Sequence, residues 1–427
     1  MFAAVRAVLD RRLDRDVERP VLVACSGGGD SIALLLAARA WAAGAGRRLV
    51  IATVDHGLQP QSACWAESVT RRCAASGETH LTLRWEGPRP ARGVSAAARE
   101  ARHRLLAQAA RDVGARVVLA GHTADDVLEA QLMRRWGSSV PSPREWSPSP
   151  AWPEGREVFL LRPLIGLRRI AIREALVALG ETWIEDPANA SPLSLRARAR
   201  AHLAGDSSQD PAPEPPPAGL SPFDEGPAGE LASDRSSLVA ASDAVARAWM
   251  GAALVCAGGG RRAPRGEALD RILSMARGGG DAASTLAGAR ICREGERVTI
   301  AREAGDERGA HPQALLLEPG VPIVWDGRFE IVAREPALKV RPLAGAMSKL
   351  TRPDREAVML AHPLARPATP LIERSDGSVF LPRQGQAGVV TAQSLVKARL
   401  DAACGATDHE TAIVAWRTHP EHPKFAA

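Results

Sequence analysis

At 427 residues, 45% hydrophobic and 24% charged, the chain is too long for one ordinary core and reads as two or three domains of a globular protein. No apolar run reaches membrane-spanning length without a charge or a turn residue, and the start MFAAVRAVLDRRLDRD is a charged amphipathic helix rather than a cleavable signal. These features exclude a membrane partner and make the cytoplasm the expected location. The six cysteines show no Cys-x-x-Cys pair and no zinc spacing, and the net charge of +6 fits a polyanionic partner unless it is only a basic surface.

In chain order, VLVAC (21–25), RRLVIATVDH (47–56), HLTLRW (80–85), ARVVLAGH (115–122) and EVFLLRPLI (157–165) read as buried strands. Helical patterns lie between them: DSIALLLAARAWAA, SACWAESVTRRCAASG and VSAAAREARHRLLAQAARDVG. This alternation predicts an α/β fold, a parallel sheet covered on both faces, with a site beyond the carboxyl ends of its strands. The Pro/Ser-rich stretch 138–155 reads as a mobile loop, and residues 205–230 read as a proline-rich linker. Helical patterns return over 231–315, ending in strands or a hairpin with turns at Gly288 and Gly295. Residues 316–427 read as smaller, mixed and β-rich, with a hairpin turning on Asp326-Gly327. The expected division is therefore 1–204, a linker at 205–230, 231–315 and 316–427.

The turn Ser26-Gly27-Gly28-Gly29-Asp30-Ser31 joins the first strand to a helix. A helix start offers unsatisfied amides and the positive end of its dipole, and the glycines let an anion approach that backbone closely. Ser26 and Ser31 add hydroxyls, whereas Asp30 needs a metal ion or a specific hydrogen bond beside a phosphate. A plain capped turn is the alternative, and it suits the other glycine triplets at 258–260 and 278–280. The lysine of a Walker loop is missing, which favours release of pyrophosphate over transfer of the terminal phosphate.

Ser26–Ser31 resembles the pyrophosphate loop of the ATP-pyrophosphatase (PP-loop) superfamily. VDHGLQ (54–59), AREARH (98–103), GHTADDVLEA (121–130), RPLIGLRR (162–169) and WIEDPANASPLSLRARAR (183–200) then resemble the motifs of the tRNA(Ile)-lysidine synthase family, in the family's order. The resemblance is strong over about residues 20–203, and weaker at 284–303 and around WDGRF. It implies a Rossmann-like PP-loop catalytic domain over 1–204, a helical substrate- or tRNA-binding domain over 231–315 and a tRNA-binding domain over 316–427. It further implies ATP and Mg²⁺ as cofactors, and free L-lysine and the isoleucine tRNA with a CAU anticodon as partners. The family is often dimeric, so a homodimer is compatible with it.

The implied reaction adenylates the wobble cytidine, releases pyrophosphate, and lets the amine of lysine displace AMP. On this reading Ser26, Gly27, Gly28, Gly29, Asp30 and Ser31 cradle the pyrophosphate, and Asp55 and His56 lie by the adenine or ribose. Asp30, Asp125 and Asp126 form the catalytic set, with Asp30 and Asp126 as magnesium ligands. His122 and Glu129 are substrate-binding candidates. So are Arg99 and Arg102, which share a helix face, and Arg196, Arg198 and Arg200, whose run contains no acid. Each has a structural alternative: helix capping for the acid pair, an ordinary strand-end histidine at 56, and solvated surface for single arginines. Val127, Ala130 and His103 depart from the family pattern, which usually has glutamine, threonine and tyrosine there. A different adenylating tRNA modifier, such as a thiolase, or a catalytically impaired tRNA-binding paralogue, are the alternatives.

Overall fold

Val21–Ala24 (β1) is buried almost throughout, as expected of a central strand covered on both sides. It runs through the glycine turn into Gly29–Ala45, a long helix that ends on left-handed Gly46. This is the computed structural model of the chain, and it describes residues 1–15, 17–87, 89–186, 194–204, 211–212, 216–304, 314–382 and 388–413. It divides into two compact units, 1–216 with 407–427, and 217–406. Among the described residues no helix is long and apolar enough to cross a membrane.

The first unit begins with Phe2–Arg12 (α1), then β1 and Gly29–Ala45 (α2), Leu49–Asp55 (β2), Ser62–Ala75 (α3), Thr79–Arg84 (β3) and Val94–Asp112 (α4). Val117–Ala120 (β4), Ala124–Arg135 (α5), Trp146–Pro148 (β5), Phe159–Leu161 (β6), Arg169–Ala178 (α6) and Leu195–Leu203 (α7) follow. The sheet order is β3-β2-β1-β4-β6-β5, parallel except for β5. The chain winds outward from β1 through β2 to β3 and then returns to place β4 on the other side of β1. The crevice therefore opens beyond the carboxyl ends of β1 and β4, where both the glycine turn and the acid pair emerge.

The stretch 138–155 contains a strand where the sequence suggests only a loop. Trp146 stacks on Phe159 with ring centroids 5.0 Å apart and donates from Nε1 to the Thr407 carbonyl at 2.8 Å, and these long-range contacts fix β5. Pro148 is tolerated because β5 is the sheet edge. The tail segment also joins this unit through Glu410, whose buried carboxylate takes both Arg47 guanidinium nitrogens at 3.0 Å.

In the second unit, Asp224–Glu225 (β7), Leu231–Asp234 (β8), Ala282–Leu286 (β9), Ala289–Glu294 (β10) and Arg297–Arg302 (β11) form one sheet. Arg235–Ala240 (α8), Asp243–Ala257 (α9) and Glu267–Arg277 (α10) accompany it. Gly288 and Gly295 lie with positive φ at the two turns of the β9–β10–β11 meander, as their sequence context suggests. Leu315–Leu317 (β12), Ile323–Trp325 (β13), Phe329–Ala333 (β14), Leu338–Pro342 (β15), Arg352–Met359 (α11), Pro370–Glu373 (β16), Val379–Phe380 (β17), Val390–Ser394 (β18) and Val396–Cys404 (α12) complete it in two further sheets. The β13–β14 hairpin turns on Asp326 (φ 51°) and Gly327 (φ 64°), the double left-handed turn that Asp-Gly favours. Residues 205–210 and 213–215 of the expected linker lie outside the described residues. Its later part is folded: Phe223 and Ala228 are buried in the second unit.

Candidate active site

The glycine turn holds its shape through local hydrogen bonds and close backbone contact. Ser31 Oγ donates to the Gly28 carbonyl at 2.8 Å, and the Ser26 amide donates to Ser31 Oγ at 3.2 Å. Ser31 thus ties the two ends of the loop together. Gly27 has φ 83°, and a Cβ there would fall 2.4 Å from Ile184 Cδ1. The Ile184 amide donates to the Gly27 carbonyl at 2.9 Å, and the Trp183 ring lies 3.5 Å from where a Gly29 Cβ would sit. Only glycine fits at Gly27 without strain. Gly28 caps α2 with no side-chain hydrogen bond, which leaves the start of the helix to a ligand. The loop after β4 comes equally close, since a Cβ on Gly121 would lie 3.0 Å from the Asp30 carbonyl oxygen.

The acids that follow β4 have distinct local duties. Thr123 and Asp126 form a capping box at the start of α5, with Asp126 Oδ2 accepting from the Thr123 amide at 2.9 Å and from its hydroxyl at 3.1 Å. Asp125 serves another helix: its Oδ2 accepts the Arg169 amide at 2.6 Å, and its Oδ1 accepts from Arg168 at 3.3 Å. The capping alternative therefore applies to both residues.

Arg169 joins the two loops. Its Nε donates to Asp30 Oδ2 at 3.1 Å, its Nη1 to Glu129 Oε1 at 3.2 Å and its Nη2 to Asp126 Oδ2 at 3.4 Å. Glu129, with its side chain 1% exposed, also takes Arg200 Nε at 2.9 Å and faces Arg196 Nε at 3.6 Å. Arg169 is the functional candidate that sequence reasoning left without a role. The available signal was physical: two adjacent arginines at the start of a helix with no acid in its first turn oppose the dipole, and so require acids from elsewhere.

The charges in the cluster respond to their surroundings. Burial pushes the Asp30 carboxyl above its ordinary range, although Arg169 opposes it, and Asp30 Oδ1 is buried without a hydrogen-bond partner among the described residues. Burial also disfavours charge on Asp126, but the Arg169 and Arg196 guanidiniums and the Thr123 amide outweigh it and hold that carboxyl low. Glu129 Oε2 is a second buried acceptor without a hydrogen bond among the described residues.

A cationic and histidine-rich wall faces these acids. Arg99 is lowered to about 10 by burial, then by Arg196 and Arg102. Arg102 keeps solvent access, yet desolvation by the surrounding protein and then Arg196 lower its pKa as well, the behaviour of a cation in a cleft. His122 falls to about 3 through burial and then Arg162, whose Nε donates to His122 Nδ1 at 3.2 Å. A guanidinium can only donate, so the His122 proton sits on Nε2. His103 falls to about 2 through burial followed by Arg99. His56 falls to about 4 through burial and then Arg102, with its ring edge-on to Trp85. The Asp55 carboxylate accepts the Gly57 amide at 2.9 Å.

The structure thus gathers Asp30, Asp126, Glu129, Arg196 and Arg200 around Arg169. His122, Arg99 and Arg102 act electrostatically on Asp126, and Arg102 acts on His56. Asp125 points to the start of α6 instead, and Arg198 lies over the Trp136 ring. The 196–200 run is helical, and the acid that pairs with Arg196 and Arg200 comes from α5. Pro187 and Asn189 lie outside the described residues.

Comparison with known proteins agrees with this geometry. Residues 3–206 match the PP-loop domain family of ATP-binding proteins. The tRNA(Ile)-lysidine synthase of Caulobacter vibrioides is 44% identical over 95% of this chain and 98% of its own length. That of Hyphomonas neptunium is 38% identical over 71% of this chain and 87% of its own. Among solved structures, a U34-tRNA thiolase from Methanococcus maripaludis with its [4Fe-4S] cluster overlays 48% of this chain and 72% of that one, at TM-score 0.40 and 18% identity. With a PP-loop at the switch point of its sheet and a relative matching it nearly end to end, the chain belongs to the tRNA(Ile)-lysidine synthase family of ATP-using ligases.

Proposed function

We propose that this chain joins the ε-amine of free L-lysine to C2 of the wobble cytidine in the isoleucine tRNA with a CAU anticodon, at the cost of ATP cleaved to AMP and pyrophosphate. The cytidine O2 attacks the α-phosphorus and pyrophosphate leaves. The lysine nitrogen then attacks C2, gives up a proton, and AMP departs with the former O2. The observation that carries this reading is Arg169, which binds the acid of the glycine loop and two acids of α5 in one fork, so that nucleotide and amine chemistry share a site.

The bare start of α2 and the Ser26 and Ser31 hydroxyls suit the pyrophosphate. Glu129 Oε2, buried with an unused lone pair, suits the ammonium of the incoming lysine and offers an acceptor for its proton. The orphaned Asp30 Oδ1 fits a magnesium ligand. Asp126 fits only through Oδ1, since Oδ2 is held by Thr123 and Arg169. Magnesium usually takes one or two carboxylates with substrate phosphates and water, so this pair is enough. When bound, the ion would neutralise charge on the departing pyrophosphate. Arg99 and Arg102 suit an RNA or nucleotide phosphate, and the second unit is assigned to holding the tRNA. The six free cysteines suit a reducing cytoplasm.

Labelled lysine should enter CAU-anticodon isoleucine tRNA only with ATP and magnesium. Asp30→Ala should abolish turnover while the tRNA is still retained on a filter. Label in bulk tRNA stripped of that species, no label at all, or sulfur transfer in a parallel assay would reject the proposal.

A further inference from the structure

The carboxyl end of α5 carries a feature that the chemistry above does not use. Trp136, the C-cap residue of α5, keeps 42% of its surface exposed, although Met133 one turn earlier is buried. Arg198 of α7 lies over its ring at 5.8 Å, and His202 meets it edge-on with centroids 6.0 Å apart. Arg134, Arg135, Arg198 and His202 are all exposed. Among the described residues none of these four is in an ion pair. No acid occurs between Ala130 and Arg144, or between Ser194 and Ala204.

α7 therefore divides its residues between two tasks. Arg196 and Arg200, four apart, face Glu129, whereas Arg198 and His202, also four apart, face Trp136. Glu129 and Trp136 are seven residues apart on α5, two turns and about 10 Å along the axis. That span is about three bases stacked at their usual 3.4 Å spacing.

We propose that Trp136, backed by Arg198 and His202 and flanked by Arg134 and Arg135, is a stacking platform for an unpaired base of the tRNA anticodon loop. The inference rests on the proposed lysidine synthesis, which brings that loop to the acid cluster. An exposed indole among unneutralised cations is the chemistry that holds splayed bases: the ring stacks on any base, and the cations take the adjoining phosphates.

The test uses the full chain and a synthetic CAU anticodon stem-loop, with binding followed by fluorescence anisotropy and an abasic residue placed at each loop position in turn. Alanine replacement of a stacked aromatic residue costs about 1–3 kcal/mol per base, or about 5- to 140-fold in affinity. Trp136→Ala should weaken the intact loop at least fivefold, and Trp136→Phe should restore most of the loss. One abasic position should weaken the wild-type chain by a similar factor but leave Trp136→Ala unaffected. Trp136→Ala binding every loop like the wild type, while the wild type still incorporates lysine, would overturn the platform alone. A wild-type chain that neither binds the stem-loop nor incorporates lysine would overturn the platform and the proposed function together. A shift of Trp136→Ala from dimer to monomer with unchanged RNA affinity would make the patch a self-association surface and likewise overturn the platform.

Discussion

Replacing Arg169 with methionine keeps much of the aliphatic stem and removes the charge that three carboxylates share. Breaking a buried ion pair from one side costs about 3–5 kcal/mol. Here the loss is smaller than three such pairs. Glu129 keeps Arg200 at 2.9 Å and Arg196 at 3.6 Å, Asp126 keeps the Thr123 amide at 2.9 Å, and the Asp30 side chain is 23% exposed. A net cost of about 2–4 kcal/mol follows, concentrated on the α5 and α6 elements that Arg169 ties together. Hydrogen exchange at the amides of these two helices should report opening about 30- to 700-fold more frequent than in the wild type.

The same substitution has a pH signature. Asp30 already has a raised pKa in the folded chain, so the folded state holds its proton more tightly than the unfolded state does. Stability contributed by that group therefore falls as pH rises from its unfolded value of 3.8 through its raised folded value. Removing Arg169 takes away the main cation opposing this shift and raises the folded pKa further. The cost of Arg169→Met should thus be larger at pH 8 than at pH 4.5. Exchange rates within threefold of the wild type at both pH values would refute the bridging role of Arg169.

Gly27→Ala should weaken ATP binding by at least tenfold, because both the φ of 83° and the 2.4 Å approach to Ile184 oppose a side chain. Adding Ile184→Ala should recover only part of the affinity, since the backbone strain remains; full recovery in equilibrium ATP binding would show that the φ is unimportant. Glu410→Gln should destabilise the first unit by about 3–5 kcal/mol, because it leaves the buried Arg47 charge uncompensated. Urea denaturation reads this loss directly, and a change under about 1 kcal/mol would argue that Arg47 is solvated. His56, His103 and His122, with pKa values of about 4, 2 and 3, should show no imidazole titration between pH 5.5 and 8 by NMR. Each is depressed below its unfolded value of 6.5, so each removes stability as pH falls below 6.5, where the unfolded chain takes up protons that the folded chain refuses. A site histidine titrating near 6.5 would contradict the desolvation that sets these values.

What could be read from the sequence was local. Ser26–Ser31 announces itself because a strand, three glycines and a helix follow without interruption, and the Asp326-Gly327 turn because that dipeptide tolerates two positive φ values. Strand β5 was hidden, because prolines and serines argue for a loop while the contacts that make it a strand come from Phe159 and Thr407. Glu410 was hidden for the same reason, since its partner Arg47 is 363 residues away. A stretch's own composition carries no record of such partners.

The acid pair lies between these cases and shows why spacing alone does not assign roles. Asp125 and Asp126 are adjacent in a turn that any helix start could use, and each does cap a helix. Capping settles the backbone but not the electrostatics. Asp125 spends its carboxylate on the first amide of α6 and on Arg168, and so fixes where Arg169 begins. Asp126 spends one oxygen on its own helix and shares that oxygen with Arg169, together with Asp30 and Glu129. The two neighbours therefore act in sequence: one places the arginine's backbone and the other receives its guanidinium. Asp125→Ala should loosen the Arg169 fork even though Asp125 never touches that guanidinium. Its effect on opening at α5 and α6 should be non-additive with Arg169→Met, because each substitution dismantles the same bridge. Strictly additive losses in the hydrogen-exchange assay would mean that capping and bridging are separate functions that merely share an address.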